Sequence, residues 1–214
     1  HAVKMIEHDT GVKLDMEHLD YNDKKVLDSL CTGRTDGVFQ LESGGMKSFM
    51  KELKPQNLED IIAGISLYRP GPMDFIPKYI KGKNNHDEIT YSCPELEPIL
   101  SPTYGCIVYQ EQVMQIVRDL GGYTMDEATG SSCDEQEKAV CHGKRTGEFR
   151  LRQSRGGVPG CVARGIPEKV GLEIYAEMMD LQIRVQQSHA ACYAVVAYQT
   201  AYLNIIIRWN LWRP

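Results

Sequence analysis

Two prolines and a glycine within four residues, Arg69-Pro-Gly-Pro72, restrict the fold of this chain more than any other feature. Proline has no amide donor and disfavours helical backbone in the residue before it, so no α-helix can run through this stretch. Upstream, Leu58–Tyr68 has the apolar periodicity of a helix, and Asn57 is a suitable N-cap. The chain must therefore turn at Arg69, in a rigid bend that presents a guanidinium.

The rest of the chain is dominated by helical periodicity, so we predict a mainly α fold with at most a few short strands. Two short helices are expected within residues 1–31, the second capped by Asn22. Ser43 can cap a further helix that carries Met46, Phe49, Met50 and Leu53 on one face. Later helices are expected near residues 94–100, 110–120, 167–179 and 188–203.

Some segments do not follow this pattern. Residues 77–92 are polar and predict a loop, with Tyr79-Ile80 and Ile89–Tyr91 as possible short strands or turns. Residues 129–157 lack any periodicity and have the composition of a disordered linker, and residues 204–214 form an apolar tail that we also expect to be irregular. We therefore divide the chain into residues 1–128, 129–157 and 158–214.

Composition excludes several classes of protein. The chain has 214 residues, 42% of them hydrophobic, and no apolar run near the ~20 residues needed to cross a bilayer. It begins at His1 without a leader-like segment, so we expect an excerpt of a soluble, cytoplasmic protein. The seven cysteines are scattered without a Cys-x-x-Cys pair, which argues against a disulfide framework and against a zinc site. The net charge of −5 alone counts against nucleic-acid binding.

A few polar residues lack an obvious role in a core. The Arg69 guanidinium would suit a phosphate, although an isolated Pro-Gly bend is more often only a helix stop. At the start of the 110–120 helix, Glu111 can be a capping residue, but Tyr109, Gln110 and Gln112 have no core explanation. His189 stands at the head of the last helix, where the helix dipole favours anions.

Three motifs resemble a known family when they are taken in order. They are Gly37–Ser43, Leu67–Met73 and Thr103–Gln112, and with Gly160–Gly171 and Ser188–Leu203 they are similar to the fingers region of the bacterial C-family replicative polymerases, the DNA polymerase III alpha subunits. The resemblance covers residues 1–128 and 158–203.

This resemblance implies a part of a nucleotidyltransferase. The family moves a nucleotidyl group from a dNTP to a primer 3′-hydroxyl with Mg²⁺, and its fingers close over the incoming nucleotide and template. The metal-binding aspartates lie in the palm, which precedes this region, so we expect no catalytic residue, no metal ligand and no activity from this chain alone. The implied partners of the parent enzyme are primer–template DNA, dNTP, the sliding clamp and other replisome subunits. We expect nucleotide contacts from Arg69 and His189, supported by Tyr109, Gln110, Gln112 and, more weakly, Lys47.

The resemblance fails between Thr129 and about Arg155, and a shifted reading frame would explain this failure. Among the synonymous codon sets for Ser131 to Ala139 is TCG TCG TGC GAT GAG CAA GAA AAA GCA. Moved by one base, this set encodes Arg-Arg-Ala-Met-Ser-Lys-Lys-Lys, which is similar to the basic segment of the family. A synonymous codon set for Asn204–Pro214 behaves likewise when one A is restored in front of it. We hypothesise small insertions or deletions in the gene or in its sequencing.

A second interpretation stays open at this point. The chain could be an all-α protein–protein interaction module without catalytic activity, in which the polar motifs are caps and turns and the net acidity is functional.

Overall fold

The computed structural model describes residues 2–11, 13–123, 160–180 and 186–211. These residues are mainly helical and contain no strand, which confirms the prediction of a mainly α fold. The α-helices are α1 (Ala2–Thr10), α2 (Lys24–Cys31), α3 (Gly44–Leu53), α4 (Leu58–Leu67), α5 (Ile76–Asn84), α6 (Glu97–Leu100), α7 (Gln110–Asp119), α8 (Glu168–Asp180) and α9 (Gln187–Leu211). Short 3₁₀ turns lie at Pro72–Phe75, His86–Glu88, Pro94–Leu96, Ser101–Thr103 and Val162–Arg164.

The chain forms two compact units. The first unit consists of His1–Tyr68 and Ser188–Pro214, and the second of Arg69–Gln187. The first unit is thus assembled from two segments that are distant in sequence. The predicted irregular segment 129–157 lies outside the described residues, and the predicted division into three segments stays a prediction.

Side-chain caps fix the starts of α3 and α4, as the sequence predicts. The Ser43 hydroxyl accepts a hydrogen bond from the Met46 amide at 3.3 Å. The Asn57 side chain accepts from the Asp60 amide at 2.8 Å, and the Asp60 carboxylate accepts from the Gln56 amide at 2.8 Å. Each cap satisfies amides that have no partner inside the helix, which sets where the helix begins.

Helices α3 and α4 pack closely because Gly64 has no side chain. A Cβ at Gly64 would lie 2.8 Å from Leu53 and 3.0 Å from Met50. The predicted face of α3 is buried, and α4 is buried beyond its predicted stripe, over Asp60–Leu67. A helix that is apolar on most sides belongs in the middle of a helical unit, and α4 is such a helix.

Tyr198 of α9 ties the long C-terminal helix to the N-terminal segment. Its hydroxyl donates to the Asp20 carbonyl oxygen at 2.7 Å and accepts from the Asp23 amide at 3.0 Å. Asp23, not the predicted Asn22, is the N-cap of α2, and its carboxylate accepts from the Lys25 amide at 2.8 Å. The prediction was wrong by one residue because the Tyr198 contact fixes where the preceding turn ends.

The second unit corrects the prediction for residues 77–92. The candidate strand Tyr79-Ile80 lies inside α5, and the candidate at Ile89–Tyr91 is irregular. Tyr79 is buried, and a Cβ at Gly82 would lie 2.7 Å from the Tyr104 carbonyl oxygen. The helix is therefore stabilised by tertiary packing of one narrow face, which the polar composition of the segment conceals.

The core of the second unit joins residues from before and after the segment that the structure does not describe. It is formed by Cys93, Leu96, Ile99, Leu100, Ile107, Val113, Ile116, Val117, Leu120, Cys161, Ile166, Ile174, Tyr175 and Met178. Helix α8 therefore packs in one core with helices that precede residue 123.

The predicted irregular tail at 204–214 is helical as far as Leu211, because α9 continues through it. From Ser188 to Arg213 the sequence has neither glycine nor proline, so nothing local ends the helix. Along the described parts of the chain, no helix combines the length and the apolar character that crossing a bilayer requires.

Candidate functional site

Arg69 lies in the bend that the sequence predicts. Helix α4 ends at Leu67, Gly71 has a φ of 98°, and the Met73 amide donates to the Arg69 carbonyl oxygen at 3.1 Å. A φ in this range favours glycine, and the closed turn fixes the backbone from which the side chain departs. The Arg69 side chain is part-exposed, and its guanidinium makes no hydrogen bond or ion pair with any residue that the structure describes. It is therefore available to an external anion.

Gln112 is fully used inside the second unit. Its side-chain oxygen accepts from the amides of Val108 at 2.8 Å and Tyr109 at 3.0 Å. Its side-chain nitrogen donates to the Ile99 carbonyl oxygen at 3.2 Å and to the Thr103 hydroxyl at 2.7 Å. The residue is 6% exposed. These four bonds cap α7 and fasten it to the preceding turn, so the amide has no group left for a nucleotide.

The contacts and burial of the residues next to Gln112 differ from those that the sequence predicts. Glu111, predicted to be the cap, accepts from the Gln187 amide at 3.0 Å through both carboxylate oxygens. Tyr109 is buried, and Gln110 is half-buried at the start of α7. Burial also raises the pKa of the nearby Cys106 thiol to about 12. That thiol is protonated at neutral pH and is not a nucleophile.

Lys47 of α3 is paired. Its ammonium forms an ion pair with the Asp36 carboxylate, and its side chain is 26% exposed. The Asp36 carbonyl oxygen accepts from the Asn204 side chain at 2.7 Å, which anchors this loop on α9. Lys47 would have to give up Asp36 to bind a phosphate, which makes it the weakest cation of the predicted set.

His189 lies exposed in the first turn of α9, on one end of an aromatic row. Its ring centroid is 4.6 Å from that of Tyr193, with an interplanar angle of 36°. Tyr193 in turn contacts Phe39, with the centroids 5.4 Å apart and the planes at 44°. The imidazole nitrogens make no hydrogen bond with any described residue. The Tyr193 ring thus contacts one face of the imidazole, while the imidazole nitrogens have no hydrogen-bond partner among the described residues.

The predicted site residues fall in both units. Arg69, Tyr109, Gln110 and Gln112 belong to the second unit, and Lys47 and His189 to the first. Residues 35–42 of the first unit, hereafter the 35–42 loop, lie close to both Lys47 and the aromatic row of His189. Asp36 of this loop pairs with Lys47, and Phe39 forms the end of the aromatic row opposite His189.

Sequence reasoning missed Phe39 and Tyr193. The spacing of four residues between His189 and Tyr193 puts both on one helix face and could have indicated their contact. The contribution of Phe39 comes from a segment 150 residues earlier in the chain, and nothing local indicates it.

No group of three His, Cys, Asp or Glu side chains that could hold a metal ion occurs among the described residues.

The sequence model of the bacterial DNA polymerase III alpha subunit finger domain matches residues 1–132. The chain belongs to this family. The DNA polymerase III subunit alpha of Halalkalibacterium halodurans is 45% identical over 204 residues, which is 95% of this chain and 18% of the relative. The subunit of Thermus aquaticus is 41% identical over 210 residues, 95% of this chain and 17% of the relative. That of Aquifex aeolicus is 38% identical over 204 residues, covering 94% and 17%.

The chain spans less than a fifth of the length of these DNA polymerase III alpha subunits. Membership of the finger-domain family is what the polymerase interpretation predicts and the interaction-module interpretation does not. The match to the family model ends at residue 132, whereas the matches to the relatives cover 95% of the chain, so the predicted failure of the resemblance between Thr129 and about Arg155 stays a prediction.

Proposed function

We propose that this finger-domain chain contributes the surface on which a replicative DNA polymerase receives an incoming dNTP opposite the template. In this proposal Arg69 of the second unit and His189 of the first are, each within its own unit, the residues assigned to phosphate contact. The observation that carries it is the contrast among the predicted residues. The Arg69 guanidinium and the His189 imidazole are without hydrogen-bond partners among the described residues, whereas the polar groups of Lys47 and Gln112 are engaged.

Two physical properties support this assignment. Arginine offers a planar fork of donors that matches phosphate oxygens, and the closed turn at Gly71 restricts where the fork can go. His189 lies in the first turn of a helix that runs to Leu211, where the helix dipole favours an anion, although the Gln187 amide at this end is already bonded to the Glu111 carboxylate. Tyr109, Gln110 and Gln112 then act by shaping the start of α7, not by touching the nucleotide.

The whole enzyme would need more than this chain. We propose that Mg²⁺ is held by palm carboxylates outside it, that primer–template DNA is the second substrate, and that the sliding clamp and other replisome subunits bind the parent protein. We also propose a cytoplasmic location, in keeping with replication. The purified chain should fail to extend a primed template in the presence of Mg²⁺ and all four dNTPs. Incorporation by this polypeptide would show that the chemistry has been assigned to the wrong part of the protein.

The test of nucleotide binding is a fluorescence titration of the 214-residue chain with a fluorescent dATP analogue at low salt. A charged hydrogen bond contributes about 1.5–3 kcal/mol, so Arg69→Ala should weaken binding about 10- to 100-fold. Arg69→Lys keeps the charge but loses the fork and should recover only part of the affinity. Arg164→Ala removes an exposed arginine from the same unit and is the matched control. Equal effects of Arg69→Ala and Arg164→Ala would reduce the role of Arg69 to net charge.

The reading-frame hypothesis also affects the expected affinity. Residues 131–138 carry three carboxylates and one lysine, whereas the shifted reading has five basic residues and no acidic one. Cationic side chains stabilise a bound triphosphate, so we expect weak binding by the present chain. Replacing Ser131–Lys138 by the shifted text should strengthen binding, and an unchanged dissociation constant would count against a role of these cations in triphosphate binding.

A further inference from the structure

The aromatic row His189–Tyr193–Phe39 is supported by hydrogen bonds between the 35–42 loop and α9. The Phe39 amide donates to the Thr200 hydroxyl at 3.0 Å, and that hydroxyl donates back into α9, to the carbonyl oxygens of Val196 at 3.0 Å and Ala197 at 2.9 Å. One threonine thus holds the 35–42 loop on the helix that carries the other two rings.

The loop itself has little freedom to move away from this position. Its Gly37 and Gln40 have φ values of 76° and 64°, and the Gly37 amide donates to the Glu42 carboxylate at 2.7 Å. With the bond from Asn204 to the Asp36 carbonyl oxygen, the loop is fastened to α9 at two points. A loop held in this way presents the Phe39 ring in one place, although that ring is 40% exposed.

An exposed histidine on a helix ordinarily samples several rotamers, and ordering it on binding costs free energy. Here the Tyr193 ring covers one face of the imidazole, and Phe39 limits where the Tyr193 ring can go. We propose that Tyr193 and Phe39 are positioning residues, which hold the His189 imidazole in the orientation that donates to the triphosphate. This inference rests on the proposed function of His189.

The first measurement is of the imidazole and needs no nucleotide. In the 214-residue chain labelled with ¹³C-histidine, the ring protons of His189, assigned by their loss in His189→Gln, should be shifted by the Tyr193 ring current. Tyr193→Leu and Thr200→Val should move these signals toward those of a freely exposed histidine. Tyr193→Phe, which keeps the ring, should leave them in place, as should Cys192→Ser, a change at an exposed position in the same helical turn.

The second measurement is binding of the fluorescent dATP analogue to the same variants. Ordering one side chain costs about 0.5–1.5 kcal/mol, so Tyr193→Leu should weaken binding by about two- to tenfold, with recovery in Tyr193→Phe. Thr200→Val should act in the same direction through the loop. A merely structural role of the row would change the free energy of unfolding without this pattern of loss and recovery.

The outcomes separate the two proposals. If Tyr193→Leu leaves the His189 signals or the affinity unchanged, the positioning role is overturned while nucleotide contact by His189 stands. If Tyr193→Phe behaves like Tyr193→Leu, the hydroxyl and not the ring is what matters, and the stacking argument is overturned. If His189→Gln binds as tightly as the parent chain, the proposed function of His189 fails, and the positioning role falls with it.

Discussion

Replacing Tyr198 by phenylalanine should loosen the attachment of the N-terminal segment to α9. Tyr198 is fully buried, and its hydroxyl bridges the Asp20 carbonyl oxygen at 2.7 Å and the Asp23 amide at 3.0 Å. An unsatisfied polar group in such a place costs about 1–3 kcal/mol. The Asp23 amide keeps a second bond, to the Asp20 carbonyl oxygen at 3.3 Å, so we expect a loss of about 1–2 kcal/mol in the free energy of unfolding.

Urea denaturation followed by far-UV circular dichroism measures the global effect, and native-state hydrogen exchange of the Asp23 amide measures the local one. The matched control is Tyr202→Phe, one turn farther along α9, where the ring is partly exposed and the hydroxyl has no hydrogen bond to a described residue. A Tyr198→Phe variant that is no less stable than the control, with an equally protected Asp23 amide, would refute the argument.

The same tyrosine predicts a pH dependence. Burial, the largest cause, raises the pKa of Tyr198 from 10.0 to about 12. As the pH rises past about 10 the unfolded chain loses this proton first, so the free energy of unfolding falls by about 1.4 kcal/mol per pH unit until about pH 12. The stability advantage of the parent chain over Tyr198→Phe should therefore shrink and then reverse between pH 10 and pH 12, and a constant difference would contradict the raised pKa.

Three further predictions concern packing, capping and the reading frame. A Cβ at Gly45 would lie 1.7 Å from a tyrosine hydroxyl, whereas Gly44 has nothing within 4 Å; in thermal unfolding Gly45→Ala should cost about 1–3 kcal/mol and Gly44→Ala should be neutral or stabilising. In urea titrations Gln112→Leu should lose about 3 kcal/mol or more because it leaves several buried groups unpaired, and the exposed Gln115→Leu on the same helix should change stability by less than about 0.5 kcal/mol; a Gln112 variant that lost only nucleotide affinity would return this residue to the binding site. Resequencing the parent DNA through the codons of residues 128–158 should reveal gained or lost bases, and an intact frame there would contradict the hypothesis.

Local signals predicted most of the helices. Ser43 and Asn57 cap where expected because a capping bond involves only residues within three positions of each other. The sequence does not predict helix α5, because its stability comes from burial of Tyr79 and from the close approach of Gly82 to Tyr104. Tyr104 lies outside the segment 77–92. The continuation of α9 is concealed by the unusual composition after Leu203, and its local signal is the lack of any glycine or proline up to Arg213.

The candidate site shows the same division. Residue type and local geometry indicated Arg69 and His189, and the structure leaves their polar atoms available. The sequence could not indicate that the Gln112 side-chain nitrogen donates to Ile99 and Thr103, because those hydrogen bonds depend on how the preceding turn folds back. Polar residues at a helix start therefore have to be tested for internal partners before they are assigned to a ligand.

The split construction of the first unit has a consequence during synthesis. Its N-terminal segment ends at Tyr68 and its second segment begins at Ser188, with about 120 residues translated between them. At ~5–20 residues per second, a ribosome needs roughly 6–24 s to deliver the missing helix. For that interval the turn at residues 20–23 and the 35–42 loop lack the hydrogen bonds that Tyr198, Thr200 and Asn204 provide. Nascent chains paused in the middle of the message should therefore depend on chaperones more than completed ones do.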